Sequence, residues 1–252
     1  MSRRYARVAT PDGARWVLES PDGWVELDAA PWAGGVPDGA VHELPRLLCP
    51  AAPTKIVGIG SNYRAHAAEM GRPVPDVPKI FLKPPSALIG PDDRIPRPSE
   101  STRVDHEAEL VVVVGRTASR VAVDEALDHV FGYTAGNDVT ARDFQRADGV
   151  FARAKGYDGF APVGPHVVTG LDPAALGVRA FVNGALRQSG DTSDMVFGVA
   201  ELIAFVSNVM TLCPGDLIFT GTPAGVGALE VGDEVVVEID GIGRLRNFVV
   251  GR

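Results

Sequence analysis

The chain has 252 residues, 45% of them hydrophobic, and a formal net charge of -8, enough apolar side chain for a core that needs no partner to fold. The acidic balance excludes a nucleic-acid surface, which needs basic residues against phosphates, and no apolar run reaches the length of a membrane span. Cys49 and Cys213 stand far apart with no C-x-x-C spacing, so neither a zinc cluster nor a disulfide framework is expected. Met1-Ser2-Arg3-Arg4-Tyr5 leads into no apolar signal core, and the expected setting is a reduced cytoplasm without nucleic-acid or membrane partners.

In chain order, the first thirty residues alternate short apolar stretches with Pro11-Asp12-Gly13 and Pro21-Asp22-Gly23, turn signals that predict a three-strand meander. Residues 30–53 are rich in Pro, Gly and Ala, with Trp32, Leu44, Leu47 and Leu48 as isolated anchors, and read as an ordered linker. Composition shifts at Lys55, so the expected division is a small N-terminal β unit with its linker, 1–53, and a main unit, 54–252.

The main unit is dominated by short β-branched runs: Lys55–Ile59, Lys79–Lys83, Glu109–Val114, Ala180–Val182, Leu217–Phe219 and Glu234–Glu238. Asn183-Gly184 predicts a type I′ hairpin turn between its flanks. One helix is expected from a cap at Asp124 to about Val130. A second runs from Val199 to Met210, where Leu202, Ile203, Val206 and Val209 fall at helical spacing. Strands without regular helical crossovers predict an α+β fold that is mainly β, not a doubly wound parallel sheet.

The sharpest chemical feature is Asp105-His106-Glu107-Ala108-Glu109 leading into the apolar run Leu110–Val114. On a strand, residues two apart share a face, so Glu107 and Glu109 would present carboxylates roughly 7 Å apart, a repelling pair unless a cation lies between. Asp138, in Gly136-Asn137-Asp138-Val139-Thr140-Ala141-Arg142-Asp143, is read either as a turn or helix cap or as a third ligand. Three carboxylates with open positions suit Mg²⁺ or Mn²⁺, whereas zinc would want His or Cys. His66 and Glu69 lie three apart in the short helical stretch Asn62–Met70, where the carboxylate could orient the imidazole as a general base. Gly60, Gly71 and Pro73-Val74-Pro75 around that stretch suit a movable lid. Thr220-Gly221-Thr222-Pro223-Ala224-Gly225-Val226-Gly227 is glycine-rich but lacks the Gly-Lys-Ser/Thr ending of a phosphate loop. It reads instead as a tight turn that brings backbone amides and the Thr222 hydroxyl toward a small ligand.

These segments resemble the fumarylacetoacetate hydrolase family over about residues 55 to 250, in the branch with acylpyruvate hydrolases, oxaloacetate decarboxylases and 2-hydroxyhepta-2,4-diene-1,7-dioate isomerases. The resemblance rests on the order of Gly60-Ser61-Asn62-Tyr63, Phe81-Leu82-Lys83-Pro84-Pro85-Ser86, His106-Glu107-Ala108-Glu109-Leu110, Gly132-Tyr133 with Asp138–Asp143, Ala154-Lys155-Gly156, Pro162-Val163-Gly164-Pro165 and Thr220–Gly227. It implies a mixed β-sandwich roll, assembled as a homodimer. It further implies Glu107, Glu109 and Asp138 as ligands of Mg²⁺ or Mn²⁺, and His66, Glu69, Lys155 and Gln145 as the catalytic group. Arg142, Gly221 and Thr222 are the implied substrate contacts. Ser61 departs from the pattern, since some acylpyruvate-cleaving relatives carry a basic residue just before Asn-Tyr. The expected activity is metal-dependent hydrolysis of a carbon–carbon bond in an acylpyruvate, a 2-oxo or 1,3-dioxo acid. Oxaloacetate decarboxylation and isomerisation are the alternatives, with a non-catalytic dicarboxylate-binding protein behind them.

Overall fold

The computed structural model describes residues 2–43 and 46–252; Leu44, read above as a linker anchor, lies outside the described residues. Strands Arg3–Thr10, Gly13–Ser20 and Gly23–Leu27 form the expected meander, with its tight turns at the two Pro-Asp pairs. The segment read as a linker holds more than a connection. Pro37–His42 adds a fourth antiparallel strand and Leu47–Leu48 pairs with the first. Proline and glycine conceal the fourth strand in sequence, and it sits at the sheet edge, where a missing N–H breaks no ladder. Arg3–Thr10 also pairs with Ala161–Thr169, so meander and main sheet share one ladder.

From Ala161–Thr169 that sheet continues through Val130–Asn137, Ala108–Val114, Leu217–Phe219, Ile56–Gly60 and Lys79–Lys83. Neighbours along this path are antiparallel except Leu217–Phe219 with Ile56–Gly60, which are parallel. A second sheet runs Ala185–Asp191, Gly177–Val182, Glu234–Ile239, Gly243–Gly251, Arg94–Arg97, and a small third sheet joins Thr140–Ala141, Val104–His106 and Gly227–Ala228. The α-helices among the described residues are α1 (Arg64–Glu69), α2 (Arg142–Asp148), α3 (Ala152–Lys155) and α4 (Val199–Val209). The architecture is the expected one: mainly β, with mixed sheets and few helices.

Ala108–Val114 is buried on both faces. Leu110, Val112 and Val114 pack with Val178, Ala180 and Val237 of the second sheet and Leu202, Ile203 and Val206 of α4. Val111 and Val113 face the other way, against Val163, Leu217 and Phe219. The alternation of a strand therefore puts Glu109 on the same side as Val111 and Val113. Asn183 and Gly184 adopt φ of 51° and 77° and join Val182 to Ala185, the predicted type I′ turn.

One helix reading changes, and two strands emerge that the sequence did not mark. The helix expected from Asp124 is instead a 3₁₀ turn, Ala126–His129, with Glu125 at its N-cap and only Ala126 buried; without an apolar face nothing holds a longer helix. Val130–Asn137 and Ala161–Thr169 are full strands whose glycines and prolines hide them. Gly136 is required there by packing, since a Cβ on it would stand 2.5 Å from Val111 Cγ2. Leu110→Ala should lower unfolding free energy by about 2–5 kcal/mol in urea titrations. Leu186→Ala, at a side chain 55% exposed, should change it by about 0.5 kcal/mol or less.

Candidate metal and active site

Glu109 sits near the start of Ala108–Val114, and Glu107 at the break between that strand and Val104–His106. The break is fixed from the neighbouring segment. The Glu107 N–H donates to Asn137 Oδ1 at 2.9 Å, and the Asp138 N–H donates to the Glu107 carbonyl at 2.9 Å. Asp138 follows Val130–Asn137 directly and caps no helix, because α2 begins later with Ala141 at its N-cap. Carboxylate oxygens of Glu107, Glu109 and Asp138 thus lie within 4.8 Å of one another, all buried. The two-residue spacing read from sequence brings the glutamates together even though Glu107 lies outside the strand proper.

Such a cluster needs cations. The Lys155 ammonium, at the end of α3, donates to Glu107 Oε2 at 3.0 Å, to Asp138 Oδ2, and to Thr140 Oγ1 at 2.8 Å. Lys83, fully buried, donates to Asp138 Oδ1 at 2.5 Å. Arg142, the first residue of α2, donates to Glu107, to Asp105 Oδ2 at 2.9 Å and to Gln145 Oε1 at 2.7 Å. Burial by itself would raise the Glu107 carboxyl, but Lys155 and Arg142 hold it well below the usual carboxylate range. Glu109 goes the opposite way: burial, then the charges of Asp138 and Glu107, push it well above that range. Its support is the Gly221 N–H at 2.7 Å, and among the described residues no ammonium or guanidinium pairs with it. Three oxygen donors around one point, one of them lacking a counter-charge, fit a hard divalent cation, with no sulfur or imidazole in the cluster to favour zinc.

Above the cluster lies α1. His66 Nδ1 is 2.9 Å from Glu69 Oε2, while Glu69 Oε1 accepts from the Gly225 N–H at 3.0 Å. One carboxylate therefore holds the imidazole and ties the helix to the turn 220–227. His66, Glu107, Glu109, Gln145, Lys155 and Thr222 line a single cavity, with Met70, Phe81 and Phe151 as apolar walls. Its volume, about 20 Å³, is space for about one water-sized body.

The glycine-rich turn is engaged from behind. The Thr222 hydroxyl donates to the Ala108 carbonyl at 2.8 Å and accepts from Gln188 Nε2 at 2.7 Å, and the Gly221 N–H goes to Glu109. Gly221 has φ of 99° and a Cβ there would stand 2.7 Å from Asn62 Cβ, so the turn tolerates no side chain at that point. Two residues escaped the sequence reading. Lys83 stands in a quoted segment, but its partner Asp138 is 55 positions away. Gln188 lies on the hairpin strand Ala185–Asp191, in no motif, and bridges the Ala108 N–H, His106 Nδ1, Thr222 and the Pro223 carbonyl. Neither carries a local signal.

Lys155→Met tests this electrostatic balance, since it leaves buried carboxylates without their shared ammonium. Metal-free protein should lose about 3–5 kcal/mol of stability, and Mn²⁺ should return more stability to the variant than to the wild type in thermal melts. Equal metal-free melting of the two proteins would show that Lys155 does not neutralise the cluster.

Residues 55–250 match the family model described as Fumarylacetoacetate (FAA) hydrolase C-terminal. The oxaloacetate tautomerase YisK of Bacillus subtilis is 44% identical over 213 residues, covering 79% of this chain and 71% of the relative. The crystal structure of 5-carboxymethyl-2-hydroxymuconate delta-isomerase from Mycobacterium smegmatis superposes with a TM-score of 0.92 at 44% identity, over 99% of this chain and 100% of that one. Fumarylpyruvate hydrolase from Pseudomonas aeruginosa, solved with Mn²⁺ and pyruvate, gives a TM-score of 0.76 at 34% identity, over 80% of this chain and 91% of that one. With the motif order, the sheet architecture and the buried acidic triad all in agreement, the chain belongs to the fumarylacetoacetate hydrolase family.

Proposed function

We propose that this protein is a Mg²⁺- or Mn²⁺-dependent enzyme that moves a proton at carbon 3 of a 2-oxo acid, interconverting its keto and enol forms. The observation that carries this reading is the His66–Glu69 pair, which lines the same cavity as Glu107, Glu109 and Lys155. Glu107, Glu109 and Asp138 would hold the cation, and the bound cation supplies positive charge against the enolate oxygen. With Nδ1 committed to Glu69, His66 keeps Nε2 to take the proton from carbon and return it to the other end of the enol. The Glu69 carboxylate orients the ring and stabilises the imidazolium that forms. Lys155 adds ammonium charge on the enolate side. Gln145 accepts from Arg142 through Oε1, which leaves its amide N–H to orient the substrate. Thr222, on the cavity wall, contributes shape there, and Gly221 contributes by fixing Glu109. Closure of α1 keeps bulk water from the enol.

A proton shift needs nothing beyond one base and an enolate cradle, and relatives at 44% identity bear tautomerase and isomerase names. Hydrolysis of an acylpyruvate is the second reading, favoured by the likeness to fumarylpyruvate hydrolase; there His66 would deprotonate a water that attacks the far carbonyl. We also propose a homodimer, because Pro37–His42 and Lys79–Lys83 end the main sheet and Leu82 on that edge is 50% exposed, a strand edge that a second copy would cover. Light scattering should give twice the 26.5 kDa chain mass; a monomer at micromolar concentration would contradict the dimer.

The deciding experiment follows hydrogen–deuterium exchange at carbon 3 of oxaloacetate by NMR with Mg²⁺, alongside product analysis on an acylpyruvate. Exchange above the metal-only rate with the carbon skeleton intact is expected, and His66→Ala should reduce it by about 10²–10⁴-fold. Pyruvate and a carboxylic acid released from the acylpyruvate, without enzyme-dependent exchange, would replace the proton shift by hydrolysis. Unchanged exchange in His66→Ala would remove His66 as the base.

A further inference from the structure

We infer that Arg72 binds the distal carboxylate of the substrate and so selects 2-oxo dicarboxylic acids over monocarboxylic ones; this deepens the proposed proton shift and rests on it. Two other cations line the cavity, and both are committed. Arg142 serves Glu107, Asp105 and Gln145, and Lys155 serves Glu107, Asp138 and Thr140. Lys83 is held by Asp138 below the cavity floor. Arg72 lines the same cavity, and among the described residues its guanidinium has neither a hydrogen bond nor an ion pair. It is the uncommitted positive charge of the site.

Its position follows from the lid. Helix α1 ends at Glu69 and the chain turns at Gly71, whose φ is 62°. The Arg72 N–H then donates to the Ala67 carbonyl at 2.9 Å. The backbone at Arg72 is thereby fixed to the helix that carries His66 and Glu69, and its guanidinium travels with the dyad. Ser61, also on the cavity wall, offers a hydroxyl and no charge. A substrate whose 2-oxo acid end is turned to Glu107, Glu109 and Asp138 would run its remaining carbons past Met70, Phe81 and Phe151. Its far end then meets Arg72, whose planar fork matches a carboxylate through two parallel hydrogen bonds. An acid with a methyl group at that end gains no such bond.

The test uses a matched four-carbon pair, oxaloacetate and 2-oxobutanoate, which differ in a terminal carboxylate against a methyl group. Carbon-3 exchange is measured with Mg²⁺ for wild type, Arg72→Gln and Arg72→Lys. In Arg72→Gln, KM for oxaloacetate should rise by about 10- to 100-fold with kcat changed much less, while KM for 2-oxobutanoate stays at its wild-type value. Arg72→Lys, which keeps the charge without the fork, should fall between. Equal losses on both acids, or an unchanged KM for oxaloacetate, would overturn the assignment of Arg72 while the proton shift stands. If wild type exchanges neither acid above the metal-only rate, the proposed function falls and the inference with it. Because 2-oxobutanoate reports the intact site in each variant, a folding defect cannot pass for lost recognition.

Discussion

Three carboxylates held within 4.8 Å of each other inside the protein repel, and the surrounding fold is organised around meeting that repulsion. The cations come from three separate segments: Lys83 from an edge strand, Arg142 from the first turn of α2 and Lys155 from the last residue of α3. Burial and the charges of Asp138 and Glu107 push the Glu109 carboxyl well above the usual carboxylate range, whereas Lys155 and Arg142 hold Glu107 well below it. The cluster is consequently a site of high charge density with one unmatched acid, and a hard divalent cation is the partner that such a donor set accommodates.

His66 is tied to the acidic cluster through the glycine-rich turn. Glu69 accepts from His66 through one oxygen and from the Gly225 N–H through the other, so the position of the imidazole depends on the turn 220–227. That turn also presents the Gly221 N–H to Glu109. Gln188 fastens it from the second sheet, reaching Thr222 and Pro223 on one side and the Ala108 N–H on the other. His66, Glu69, the turn 220–227 and Glu109 are therefore joined through one set of hydrogen bonds, with Gln188 fastening the turn.

Much of this was legible in the chain. The Glu107–Glu109 spacing, the His66–Glu69 spacing and the type I′ pair Asn183-Gly184 are local rules of strand, helix and turn, and they hold because each concerns residues a few positions apart. The apolar runs located the central strands for the same reason. The rest depends on contacts that local rules do not contain. Val130–Asn137 and Ala161–Thr169 carry glycines and prolines that argue against strands, yet Gly136 is demanded by the close approach of Val111 and Phe219. The 3₁₀ turn at Ala126–His129 is short because only one of its side chains finds the core. Lys83 and Gln188 matter through partners 55 and about 34 to 82 positions distant, which spacing along a chain does not reveal.

The most direct test of the central claim is calorimetric titration of Mn²⁺ into metal-free protein and into Glu109→Ala, with circular dichroism as the check on folding. One ion should bind per chain in wild type, and most of that affinity should be lost in a folded Glu109→Ala protein. Absence of binding in wild type, or the same affinity in both proteins, would contradict it.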